Sequence, residues 1–343
     1  MTPKQCHCLA YTDQGPWAQV RNRPWRGFQA ADRTIDEKKM TTSFYRFQDD
    51  SRNADIQIDV NGQLFHRDEA MVSVFDSGFV LGDGIWEGLR VFNGRVAFLD
   101  QHMERLFEGA KALDFELGLS RAQLAKRIDR LLAANRMRDG VSIRLMISRG
   151  IKSTPNQDPR VTIDGPTIVI IAEFKEPDPE LLSRGLRIFT VHVRRGHPDV
   201  QDPRLNTHSK LNCITACIQA IKAGFDEALM LDPHGFVATC NSTHFFIVRD
   251  GEVWTSTGDY CLAGITRANV ISLCRHNGIP SFEKNFSLSQ VYGAQEAFVT
   301  GTLGGVVPVI EVDGRTIGEG KSGPMVQRLQ NLYAELVNKD TSH

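Results

Sequence analysis

A mixed α/β fold in two domains is predicted for this 343-residue chain. Three observations predict it: the length, the alternation of strand-period and helix-period segments in both halves, and one Pro-rich break between them. Hydrophobic residues make up 41% and charged residues 24%, enough apolar side chain for two packed cores and too polar a balance for a membrane protein. No apolar run approaches the roughly 20 residues that cross a bilayer. Lysine plus arginine, 40, nearly cancels aspartate plus glutamate, 41. A broad basic face for nucleic acid or anionic lipid is therefore not expected, and the expected partner is a small-molecule substrate.

Residues 1–52 are expected to form a loosely held N-terminal extension. Met1 to Lys39 carries Cys6-His7-Cys8 and several proline breaks, with no helical or strand period and no apolar core of a signal peptide. Met40 is a candidate physiological start. The seven cysteines form no paired C-x-x-C framework, which predicts a reducing compartment and a cytoplasmic protein. Cys213 and Cys217 stand one helical turn apart near His208. Their apolar company of Ile214, Ala216 and Ile218 favours buried thiols packed as small hydrophobes, and no metal site is assigned.

The small domain is expected over residues 53–175. Ile56 to Val60 and Leu64 to Phe65 flank Asn61-Gly62, a two-residue hairpin signal. A second Asn-Gly turn, Asn93-Gly94, precedes Ala97 to Leu99, and Asp100 is expected to cap a helix with apolar Met103, Leu106, Phe107, Ala110 and Leu113. A helix with a Ser cap follows over Ser120 to Asn135, then strands at Val141 to Ser148 and Thr167 to Phe174. Glu176-Pro177-Asp178-Pro179 opens a linker over 176–182.

The large domain is expected over 183–338. Strands are read at Leu186 to Arg194, Glu227 to Leu231, Phe245 to Arg249, Glu296 to Thr300 and Val306 to Val312. Helices are read at Lys210 to Ala223, Arg267 to Asn277 and Pro324 to Val337.

Two motifs carry more than fold. Gly82-Asp83-Gly84-Ile85-Trp86-Glu87-Gly88-Leu89-Arg90-Val91-Phe92-Asn93-Gly94, followed by Leu99-Asp100-Gln101-His102-Met103-Glu104-Arg105-Leu106, resembles the signature of the class IV (fold type IV) aminotransferases. That family includes the branched-chain and D-amino-acid aminotransferases, the R-selective amine transaminases and aminodeoxychorismate lyase. The resemblance runs from about Ile56 to Leu336 and keeps several blocks in the family's order. It implies a two-domain fold type IV architecture, pyridoxal 5'-phosphate (PLP) as cofactor, a small amino acid or amine as substrate, and a homodimer with its pocket near the subunit interface. It further implies that Arg105 pairs with the cofactor phosphate, that the turn Gly264-Ile265-Thr266-Arg267 offers the backbone N–H groups of Ile265 and Thr266 at a helix start, and that Thr302 adds a hydroxyl.

Aligned without gaps on Ala223 to Asp232, the family's reactive-lysine column falls on Asn206 and its ring-nitrogen glutamate column on Thr239. An amide can neither hold the cofactor covalently nor shuttle a proton. A threonine hydroxyl can hydrogen-bond the ring nitrogen without balancing its charge. Lys210 is the nearby amine. If the helix already includes Asn206, Lys210 lies one turn on, roughly 6 Å along the axis and within reach; if 206–208 is extended, the separation is roughly 13 Å and the amine misses. The alternative for Lys210 is a solvated lysine opening a surface helix.

His208, Ser209, Cys240 and His244 lie beside these positions and are candidate nucleophiles or bases, or else caps and packed side chains. Arg90, Arg149, Arg194 and Arg195 are candidates for a substrate carboxylate, or else surface ion-pair members. Three functions stay open: a PLP-dependent aminotransferase, a PLP-independent lyase or hydrolase reusing the pocket, and a non-catalytic small-molecule binding protein.

Overall fold

The computed structural model describes residues 50–342; the expected extension lies outside the described residues up to residue 49. The first layer is a six-stranded sheet of β1 (Gln57–Val60), β2 (Gln63–His66), β3 (Gly84–Phe92), β4 (Arg95–Val96), β5 (Val141–Ser148) and β6 (Thr167–Phe174), in the order β2-β1-β6-β5-β3-β4. Every ladder in it is antiparallel. Three helices belong to this half: α1 (Ser77–Leu81), α2 (Leu99–Ala112) and α3 (Arg121–Ala134).

Both Asn-Gly pairs make the tight turns their sequence predicts. Asn61 and Gly62 have φ of 50° and 86°, and Asn93 and Gly94 have 55° and 77°. Two successive positive φ values are what a turn matching the twist of its strands requires, and Asn and Gly tolerate them best. Helix α3 begins with a capping box, Ser120 accepting from the Gln123 N–H while Gln123 accepts from the Ser120 N–H. Helix α2 departs from expectation. Asp100 sits inside the first turn, and the cap is Phe98 in the left-handed region at φ 55°. Its N–H donates to the Asp340 carboxylate at 2.6 Å, so a partner 242 residues away replaces a local cap.

The second layer contains nine strands: β7 (Leu186–Thr190), β8 (Glu227–Leu231), β9 (Val237–Cys240), β10 (His244–Arg249), β11 (Glu252–Thr255), β12 (Ser281–Glu283), β13 (Glu296–Gly301), β14 (Gly305–Val312) and β15 (Arg315–Thr316). Their order is β12-β11-β10-β13-β14-β7-β8-β9, with β15 on β14. The helices are α4 (Pro179–Arg184), α5 (Leu211–Lys222), α6 (Ile265–His276), α7 (Leu288–Tyr292) and α8 (Pro324–Thr341). Strand β7 is shorter than the expected 186–194 because the Asp313 carboxylate takes both the N–H and the hydroxyl of Thr190, at 2.5 and 2.7 Å. Helix α8 runs past the expected Val337 and docks on the first half, where Asn93 Nδ2 donates to Thr341 Oγ1 at 3.2 Å.

Each sheet buries its own core. The first draws on residues 56–172, among them Leu89, Leu106, Leu124, Leu131, Ile143 and Leu145. The second draws on 181–317 and a neighbouring cluster that reaches Leu329. A seam of Ala97, Phe98, Ile265 and Val337 joins the two halves. Each fully buried Leu or Ile of these cores contributes about 1.5–3 kcal/mol. Among the described residues no helix is long and apolar enough to cross a membrane.

Candidate active site

The site is built where β3 of the first sheet meets the start of α5, the N-terminus of α6 and the β13–β14 turn. Residues 206–208 are extended and lie antiparallel to β3, with a bridge between Ile85 and Thr207. The Trp86 N–H donates to the Asn206 carbonyl at 2.9 Å, and the His208 N–H donates to the Gly84 carbonyl at 2.8 Å. The Trp86 indole N–H donates to the Thr207 carbonyl at 3.0 Å.

Asn206 is only partly engaged by this pairing, because its buried Oδ1 has no partner among the described residues. The residue is buried, and its Nδ2 donates to the Trp86 carbonyl at 2.6 Å. His208 is engaged in the same way: its Nε2–H donates to the Ile85 carbonyl at 2.9 Å, and its ring packs where a Cβ on Gly84 would lie within 2.7 Å. Asn206→Ala should therefore behave as a structural change, costing about 1–1.5 kcal/mol in urea unfolding. A larger loss in turnover than in stability would show a chemical role instead.

The extended course of 206–208 removes the helical route by which Lys210 would stand over Asn206. Lys210 instead occupies the N-cap position of α5, at φ −118°. Its Nζ lies 5.4 Å from the centre of the Trp86 ring. Burial, with the charges of Arg195, Arg105 and Arg144 adding to it and Cys213 opposing, lowers the ammonium pKa to about 8. Lys210 is half-buried, and its amine is held well below the ordinary lysine value.

Arg105 is fixed from behind. Glu87, 1% exposed, takes its Nε at 2.8 Å and its Nη2 at 2.6 Å. His102 Nδ1–H donates to the same carboxylate at 2.7 Å. Burial pushes the Glu87 pKa up, but the hydrogen bonds from His102 and Arg105 outweigh it and hold the group below the ordinary carboxylate range. Burial also holds His102 below its ordinary value, hence neutral at pH 7. Arg105 Nη1 donates to the Ala263 carbonyl at 2.7 Å, which sets the guanidinium beside the start of α6. Three of the five N–H groups of the fork are engaged, and two remain to meet an anion.

Helix α6 opens at Gly264 with no side-chain cap. The amides of Ile265, Thr266 and Arg267 have no acceptor among the described residues, and Ala268 is the first whose N–H bonds back to Gly264. The site thus brings Arg105, Ile265 and Thr266 together. Thr266 and Thr302 both line an adjoining cavity of about 350 Å³. Its other walls include Arg90, Phe98, Leu303 and Tyr333, and Lys210 is not among them.

Thr239 lies in β9 and is buried. Its hydroxyl donates to the Thr243 carbonyl at 2.8 Å. The 242–243 loop is held from below by buried Glu227, which accepts from the Ser242 and Thr243 hydroxyls at 2.7 and 3.0 Å. Burial raises the Cys240 thiol well above its ordinary value, so it is no thiolate nucleophile at neutral pH. Ser209 is exposed.

The arginines separate by environment. Arg149 pairs with Asp83 at 2.7 Å, and Arg194 is exposed. Arg90 is buried and donates to the Leu303 carbonyl at 2.6 Å, with Nε unpartnered. Arg195 stands at the start of α5, its Nη1 3.0 Å from Asn212 Oδ1 and 3.3 Å from Cys213 Sγ. Sequence reasoning does not single out Glu87 and His102 as the anchors of Arg105. The spacing of His102 and Arg105, three apart on one helix face opposite a strand carboxylate, was the available signal.

Two sheets of this order, joined by the 175–185 connection and meeting at this cleft, define a fold type IV aminotransferase. Residues 84–312 match the Amino-transferase class IV family, and the chain belongs to it. It is 40% identical over 286 residues to branched-chain-amino-acid aminotransferase-like protein 2 of Arabidopsis thaliana, a match covering 83% of this chain and 51% of that protein. The chain thus spans about half the length of that relative. It is 38% identical to a putative branched-chain-amino-acid aminotransferase of Methanocaldococcus jannaschii, over 83% of this chain and 97% of that one. The structure of the branched-chain aminotransferase of Thermoproteus uzoniensis with norvaline superposes with a TM-score of 0.75 at 31% identity, covering 83% and 96% of the two chains.

Proposed function

We propose that this protein is a PLP-dependent aminotransferase acting on a small amino acid or amine, with branched-chain amino acids as the first substrates to test, and that Lys210 is its reactive lysine. The observation that carries the reading is the half-buried Lys210 amine, which shares the charges of Arg105 and Arg195 with the rest of the cleft.

The residues present fit the phosphate of the cofactor. Arg105 retains two free donors, and three free amides at the α6 start add the positive end of a helix dipole. Thr266 and Thr302 supply hydroxyls. PLP, when bound, supplies an electron-withdrawing ring that stabilises negative charge on the substrate carbon. Lys210 would hold the cofactor, and its amine, with a pKa of about 8, would serve as the base that moves a proton at the substrate carbon. Trp86 walls one side of that amine, its ring centre 5.4 Å from Nζ. At Thr239 no carboxylate balances a charged ring nitrogen, so this chain relies less on ring protonation than a glutamate-bearing relative would.

The homodimer implied by the resemblance is part of the same proposal. It is supported by two exposed apolar rows: Met71, Val74, Phe75 and Phe79 beside α1, and Leu211, Ile214, Ile218 and Ile221 on α5. Sedimentation of the protein at twice the chain mass of 38.4 kDa is expected, and a monomer would remove this part.

The function itself is tested by incubating PLP-loaded protein with 2-oxoglutarate and leucine, isoleucine, valine or D-alanine, and measuring glutamate. Glutamate formed from a branched-chain substrate supports the reading. No transfer from any donor, with PLP bound, would favour a binding protein or another PLP chemistry.

A further inference from the structure

Beside the α6 N-terminus, His244 and Thr300 each carry a buried polar atom with no partner, and so does Arg267, at its Nε, within α6. His244 opens β10, and Thr300 lies directly across from it on β13 in the antiparallel ladder, so both side chains leave the same face of the sheet. His244 is 7% exposed and Thr300 0%. Neither His244 Nδ1 nor Thr300 Oγ1 makes a hydrogen bond among the described residues. Leaving such atoms unsatisfied costs about 1–3 kcal/mol each, so a pair of them at one place calls for a ligand.

The surroundings specify its charge. The imidazole lies against Gly264, where a Cβ would fall 2.2 Å from Nε2. Gly264 caps α6, whose first three amides are free. Arg267 from α6, Arg105 from α2 and Arg195 from the segment after β7 all bear on the ring, after burial, to bring its pKa to about 3. Of these, Arg267 is paired with Glu283 and Arg105 with Glu87, while Arg195 makes no ion pair with a carboxylate among the described residues. The Thr239 hydroxyl is committed to the Thr243 carbonyl. A neutral imidazole in a positive setting suits an anionic ligand, to which it donates a hydrogen bond without gaining a proton of its own.

We infer that His244, with Thr300 beside it, is a further cofactor-contacting residue, its imidazole donating to the phosphate-bearing cofactor held at the α6 N-terminus. This rests on the PLP reading above. It also accounts for Gly264: any side chain there would drive the ring out of place.

The test uses apoprotein carrying 15N-labelled histidine, titrated with PLP and, separately, with inorganic phosphate. The His244 ring resonances, identified by their loss in His244→Gln, are expected to move on saturation with PLP and to show a neutral ring in the apoprotein at pH 6–8. PLP affinity should fall about 10-fold in His244→Phe, which keeps a planar ring on Gly264, and in His244→Gln. Unmoved ring resonances in the wild-type protein at saturation would overturn the inference even if a variant misfolds. So would variants that bind PLP within about twofold of wild type. Wild-type protein that fails to bind PLP at all would instead remove the parent reading and this one with it.

Discussion

Lys210→Ala is expected to abolish amino-group transfer, by at least about 10³-fold, since covalent attachment and proton transfer are lost together. Stability should change little, within about 0.5 kcal/mol, or rise, because the substitution removes a cation from a half-buried place. The companion measurement needs no variant. With its pKa lowered from 10.5 to about 8, the Lys210 amine should be acylated half-maximally near pH 8 in the apoprotein. The stability link has the same sign. Between about pH 8 and 10.5 the unfolded chain holds a proton on this group that the folded one does not, so its contribution to stability rises with pH across that window. Acylation of Lys210 with an ordinary lysine profile would contradict the lowered pKa argued above.

Arg105→Gln is the second large effect, and it acts on stability and cofactor affinity at once. The substitution leaves Glu87 buried with only the His102 hydrogen bond. Breaking one side of such a buried pair costs about 3–5 kcal/mol. Cofactor affinity should fall further than in Arg105→Lys, which keeps the charge and loses the fork. The pH dependence follows from the Glu87 carboxyl, held below its ordinary range in the folded state. Its stabilisation is present at neutral pH and is lost as pH falls through that depressed value, and Arg105→Gln should make unfolding less steeply acid-dependent. Urea unfolding of both variants from pH 3 to 7 measures this. An Arg105→Gln protein as stable as wild type would show that the Glu87 cluster is not an anchor.

How much of this was legible depended on whether the cause was local. The Asn61-Gly62 and Asn93-Gly94 turns, the Ser120 capping box and the periods of β5, β6 and β8 lie within a few residues of sequence, and the structure repeats them. The Phe98 cap and the early end of β7 depend on Asp340 and Asp313, which are distant in the chain, and local reading misplaces both ends. The site divides in the same way. Arg105, Ile265, Thr266 and Thr302 can be named from motifs. Their assembly cannot, because Glu87 and the Ala263 carbonyl do the positioning.

Position 206 is the instructive case. A gapless alignment places the lysine column on Asn206, and Lys210 is the nearby amine. In the structure 206–208 is a strand-like run locked to β3, and α5 begins only at Leu211. An amine four residues later then reaches the Trp86 side of the cleft without any helical turn over Asn206. No property of the single residues 206 or 210 announces this; the pairing with β3 does.

The central claim is tested most directly by reducing PLP-loaded protein with borohydride and mapping the modified peptide by mass. A yellow protein that bleaches and carries the phosphopyridoxyl mass on Lys210 is the predicted result. The mass on another lysine, or a protein that stays colourless with PLP in excess, would contradict it.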